Sequence, residues 1–158
     1  MASIEVLKKI DNILRRFRDR YGVVFNDKRH LLEALDHTAS NSEKKKKYAL
    51  AGDALLDFIL YDYLLEKGTY SKGKMDCIRQ KLNTDDNLAC IGKKIGLNEF
   101  IIFPESASED EKVLSKTYYN DTLEALIYLI MKDQDLESTK QFVKKNILSE
   151  IPKNEYGC

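Results

Sequence analysis

Only two prolines, Pro104 and Pro152, interrupt a chain of 158 residues, and glycine occurs just seven times. Proline removes a backbone donor and collides with the preceding helical turn, so its scarcity leaves long stretches free to coil. Ile4, Leu7, Ile10, Leu14 and Phe17 recur at three- and four-residue steps and line one face of a helix. The pattern predicts an all-α fold. A first helix stops near Gly22, and a second, capped by Asp27, carries Leu31, Leu32 and Leu35. A long third helix enters through the basic run Lys44 to Lys47 and continues to about Lys67, where Gly68 and the turn-like residues 69–73 end it. Helices over roughly 74–82 and 85–95 follow, and Gly96 breaks the second. Residues 98–110, with Pro104 and a Ser/Glu-rich patch, read as a loop. Helices over about 116–131 and 135–148 close the chain.

This length suits a single domain with a real core, taken here as residues 1–150 with a short tail over 151–158. Hydrophobic residues make up 43% and charged ones 33%, which excludes a disordered chain. Lys+Arg and Asp+Glu each count 26, so no global field advertises a polyanion, although basic residues can still segregate to one face. The N-terminus lacks a signal peptide's apolar core, and the longest apolar run, Ala125 to Met131, is too short to span a bilayer. Cys77, Cys90 and Cys158 are odd in number and lack zinc-ligand spacing. They read as reduced thiols, and the chain as cytoplasmic with no membrane partner.

Two segments carry chemistry. Lys46 to Asp57 (KKYALAGDALLD) is helical in pattern yet places Asp53 on a largely apolar surface. Asn120 to Ile127 (NDTLEALI) places Asp121 and Glu124 three residues apart, hence on one helix face. Carboxylates among apolar neighbours are costly unless a cation balances them, and hard oxygen donors suit Mg²⁺, with Mn²⁺ as the alternative.

In order along the chain stand Leu31-Leu32-Glu33-Ala34-Leu35-Asp36-His37, Gly52-Asp53-Ala54-Leu55-Leu56, Arg79-Gln80-Lys81-Leu82 with Asn87-Leu88-Ala89, Gly96-Leu97, and Asp121-Thr122-Leu123-Glu124-Ala125. Together, at these separations, they resemble the catalytic domain of the ribonuclease III family from about Phe25 to Ile147. After Leu148 only ten residues remain, so the chain is similar to the standalone mini-ribonuclease III group, which lacks the double-stranded-RNA-binding domain. The resemblance implies an all-α, homodimeric endonuclease domain that cleaves double-stranded or folded RNA, such as ribosomal precursors, with Mg²⁺. It assigns Asp53, Asp121 and Glu124 to the metal, with Asp53 and Glu124 catalytic. It also implies a fourth acid one turn before Asp53, where this sequence has Ala49. Leu50 falls where the family carries a large hydrophobe at the dimer interface. Lys74 replaces a common glutamate, so family contacts there are not carried over.

Loss of one carboxylate weakens both the charge and the placement of an ion, and small misplacements cost large factors in rate. Ala49 therefore implies an impaired enzyme. Either the chain is a noncatalytic RNA-binding or ribosome-associated relative, or a glutamate was replaced in an otherwise active one. A helical interaction domain unrelated to RNA is the third reading. Lys45, Lys46, Lys72 and Arg79 are candidate phosphate contacts, with Lys44, Lys47, Lys74 and Lys81 beside them; a solvated flexible loop accounts equally well for the run 44–47. Asp57 reads as solvated or salt-bridged, His37 as a packed, hydrogen-bonded residue, and His30 as a surface residue. Leu55, Leu56, Ile59, Leu60 and Leu64 form a core or interface stripe.

Overall fold

The computed structural model describes residues 3–158; Met1 and Ala2, the first residues of the expected domain, lie outside them. Among the described residues eight α-helices make up the fold: α1 (Ile4–Tyr21), α2 (Lys28–Leu35), α3 (Ser42–Lys67), α4 (Lys72–Leu82), α5 (Asp85–Lys94), α6 (Glu109–Leu114), α7 (Lys116–Asp133) and α8 (Leu136–Asn146). Local chemistry sets their ends. Ser3, Asp27, Ser71, Thr84, Ser108 and Asp135 each accept a first-turn backbone N–H through the side chain, and Gly22 and Gly68 close α1 and α3 in the left-handed region. Helix α6 lies inside and just beyond the segment read as a loop. Its capping box, with Ser108 and Glu111 bonded reciprocally, holds a turn that has no buried residue of its own.

α7 is the axis of the domain. Tyr119, Leu123, Ala125, Leu126, Ile127, Leu129 and Ile130 are all buried, so apolar residues face nearly every direction, as a helix enclosed by others requires. Helices α2, α3, α5 and α8 surround it. Leu56, Ile59, Leu60 and Leu64 of α3 supply the facing core and Leu55 packs at its margin. Phe17 and Tyr21 of α1 join Phe100 and Phe142 in an aromatic cluster with ring centroids 4.6–6.2 Å apart.

Polar ties fix the connections. Asp133 accepts from the backbone N–H groups of Asn26 (2.7 Å) and Asp27 (2.8 Å) and contacts His30 Nδ1 at 2.9 Å. His30, read from the sequence as a surface residue, is thus a partly buried link between α2 and α7. A parallel bridge joins Asp36 to Ile102, and the Ile102 carbonyl accepts from His37 N–H at 2.9 Å. It turns His37 toward α7, where Nε2 meets Thr122 Oγ1 at 2.7 Å.

The cysteine reading needs correction. Cys77 and Cys158 form a disulfide across a separation of 81 residues, and Cys90 alone is free. Counting and spacing could not pair them, because only the return of the chain end onto α4 brings Cys158 to Cys77. The pairing removes cysteine usage as a sign of a reducing compartment. Lys74 reaches the same tail through Glu155 (3.3 Å). Among the described residues no helix is long and apolar enough to cross a membrane.

Candidate metal site on the α3–α7 crossing

Asp53 meets α7 because its neighbour has no side chain. A Cβ built on Gly52 would lie 1.8 Å from the Glu124 carbonyl oxygen and 2.5 Å from its carbon. Only glycine permits this approach of two helix backbones. The crossing therefore brings the stretch of α3 that carries Asp53 up to Glu124, with Asp121 a turn away on α7.

These acids sense one another. Glu124 is pushed up to about 8, first by burial and then by repulsion from Asp53, Asp121 and Asp85. Asp121 is also raised, by burial, against the opposing pull of Lys45 and Lys46. Asp53 accepts a 2.6 Å hydrogen bond from Asn83 Nδ2, and the same amide nitrogen reaches Asp57 at 2.7 Å. Two nearby cations are committed elsewhere. Arg79 pairs with Asp57 at 2.7 Å, and Lys116 pairs with Asp86. Asp57 is thus the salt-bridged residue anticipated from sequence. Asn83 and Asp85 escaped sequence reasoning because they end α4 and begin α5, and only the fold returns that junction to α3 and α7.

Three carboxylates that repel one another are the donor chemistry of a hard divalent cation. Their present geometry is looser than a finished site, since among the described residues no three His, Cys, Asp or Glu side chains stand where they could hold an ion. Ala49 is 4% exposed and contributes only a methyl group to this face.

The candidate phosphate contacts divide. Lys44 to Lys47 belong to the first turns of α3 and not to a flexible loop, and Lys44 pairs with Glu33. Lys45 is corrected as a surface contact: it is 1% exposed, and its ammonium is pushed down to about 7 by burial despite Asp36 and Asp121. Lys46 is exposed, Lys72 reaches Asp76 at 3.1 Å, and Arg79 is engaged by Asp57. His37 packs edge-on to Tyr118 and is pushed down to about 3, chiefly by burial and then by Lys45. It is a neutral, hydrogen-bonded residue. Leu50, beside Ala49, is 73% exposed and turns away from the core.

The family model described as ribonuclease-III-like matches residues 27–151. The chain belongs to the ribonuclease-III-like family. The ribonuclease 3 of Streptococcus gordonii is 29% identical over 161 residues, covering 96% of this chain and 66% of that protein. The ribonuclease 3 of Nitratiruptor is 24% identical over 142 residues, covering 89% and 63%. The chain thus spans about two thirds or less of these relatives' lengths. A nuclease domain of ribonuclease III from Campylobacter jejuni superposes with a TM-score of 0.74 at 25% identity, covering 88% of this chain and 99% of that one. That structure concerns flexibility in a region involved in dimer formation. The all-α ribonuclease III nuclease-domain fold expected from sequence is the fold of this chain.

Proposed function

We propose that this ribonuclease-III-like chain is a divalent-metal-dependent endoribonuclease domain acting on double-stranded or folded RNA, and that Ala49 leaves it weakened. Asp53, Asp121 and Glu124 would hold Mg²⁺ or Mn²⁺, which when bound supplies positive charge to stabilise a phosphodiester under attack. One observation carries this reading: the Gly52 crossing brings the Asp53 stretch of α3 up to Glu124 of α7, where burial and the charges of Asp53 and Asp121 raise the Glu124 carboxyl, a cost that a divalent ion would offset. The chain's own residues do the positioning. Gly52 sets the helix separation, and Asn83 orients the Asp53 carboxylate. Two copies would join through the Leu50 face, in keeping with its exposure, and would present their acidic faces to one duplex.

A noncatalytic RNA-binding role is the second reading. It is favoured by Ala49 itself and by the looseness of the three acids. Duplex RNA cleavage by Ala49→Glu in Mg²⁺ or Mn²⁺ separates the two. The substitution returns a carboxylate at i−4 from Asp53, on the same helix face. Cleavage is expected to rise at least about tenfold over the parent, because ion placement governs rate steeply. It should vanish with EDTA and in Ala49→Glu combined with Asp53→Asn. A folded Ala49→Glu protein that binds duplex RNA without cutting it would hand the assignment to the noncatalytic role.

A further inference from the structure

Helix α3 carries a second charged group near the acidic face, and its placement is unusual. Lys45 stands at i−4 from Ala49 and i−8 from Asp53, so the three share one side of the helix. A lysine at the start of a helix normally extends its ammonium into water. Lys45 instead is 1% exposed, and its Nζ atom has no hydrogen-bond partner among the described residues. The opposite charges it feels most are Asp36 and then Asp121. Neither closes an ion pair with it, whereas the neighbouring Lys44 does pair, with Glu33. An unpaired buried ammonium is costly, so its place needs a reason. Ala49 offers one. A carboxylate at position 49 would be at i+4 from Lys45, the spacing at which helical acids and bases meet, and would also face the metal. With a methyl group there, positive charge on the Asp121 side of the site is supplied by the chain itself.

We propose that Lys45 is a cation built into the acidic site, competing with a divalent ion at Asp121 and so setting the metal affinity of this chain. The inference rests on the reading that Asp53, Asp121 and Glu124 take a divalent ion. It makes Lys45 a residue that sets affinity for the ion, distinct from the exposed Lys46, whose charge is screened by water.

Mn²⁺ binding to the full chain without RNA, followed by calorimetry and by the loss of the free-ion paramagnetic resonance signal, tests it. Lys45→Met removes the charge and keeps the length of the side chain, and Lys45→Gln keeps a polar end in case the first variant folds poorly. At pH 6, where Lys45 keeps its proton, both are expected to bind Mn²⁺ about tenfold more tightly than the parent, because a like charge leaves a poorly solvated site. Lys47→Met removes the same formal charge from an exposed position on α3 and is expected to change affinity by less than about twofold. The proposal is overturned if neither Lys45 variant gains affinity, or if Lys47→Met gains as much, since the effect would then be one of net charge. Ala49→Glu, measured alongside, keeps the two readings apart. If it binds Mn²⁺ while the Lys45 variants gain nothing, Lys45 is not the competing cation and the metal site stands. If none of the variants binds, both readings fail.

Discussion

Gly52→Ala is the sharpest test of how this fold builds its site. In the interior of a helix alanine is ordinarily favoured over glycine by about 1 kcal/mol. At Gly52 the new methyl carbon would start 1.8 Å from the Glu124 carbonyl oxygen and 2.5 Å from its carbonyl carbon, both backbone atoms that no rotamer change can move. A normal carbon–oxygen contact needs about 3.3 Å, so α3 and α7 must separate by roughly 1.5 Å along that line. Such a shift loosens the main packing interface of the domain, where Leu56, Leu60, Leu123 and Ile127 are all fully buried. Overpacking of this severity costs about 3 kcal/mol or more, which exceeds the propensity gain. For a domain of this size the melting temperature should fall by about 4–8 °C after that gain is subtracted. Gly73→Ala is the matched control, because its Cβ meets nothing within 4 Å inside α4. It should leave stability unchanged or raise it by up to about 1 kcal/mol. Thermal and urea unfolding followed by circular dichroism give both values. A Gly52→Ala protein as stable as the parent would refute the close crossing, and with it the reason Asp53 stands beside Glu124.

Two further outcomes follow from single residues. Leu50→Asp should convert a dimeric chain to a monomer in sedimentation at tens of micromolar, since a C₂ interface would bury the new charge twice; a parent that is itself monomeric there would remove the proposed duplex groove. His37, held down to about 3 in the fold against an ordinary 6.5, is neutral when folded and takes up a proton on unfolding below pH 6.5. Its contribution is therefore complete above pH 6.5 and is lost as pH falls toward 3, by about 1.4 kcal/mol per unit. Stability of His37→Asn, measured against the parent from pH 7 to pH 4.5, should decline less steeply with acid, and parallel curves would show that His37 does not titrate in this way.

Apart from α6, the helices were legible in the sequence because the causes of their boundaries are local. Apolar spacing, the cap Asp27, and the stops Gly22 and Gly68 lie within a turn of the elements they define. The acidic residues were legible for the same reason, since Gly52-Asp53 and Asp121-Thr122-Leu123-Glu124 are contiguous motifs. What those motifs do to one another was not. The sequence does not reveal that the Gly52 backbone rests on Glu124, that Asn83 holds Asp53, or that Asp85 adds to the charge around Glu124. Lys45 changed most. In the sequence it is one of four consecutive lysines, apparently equivalent in charge and surroundings, yet in the fold it alone of the four is buried. Cys158 likewise finds Cys77 only after 81 residues of chain have folded between them. Secondary structure is settled by interactions a few residues apart, whereas burial, pairing and the field at a carboxylate depend on which helices are brought together, and that was decided by the packing around α7.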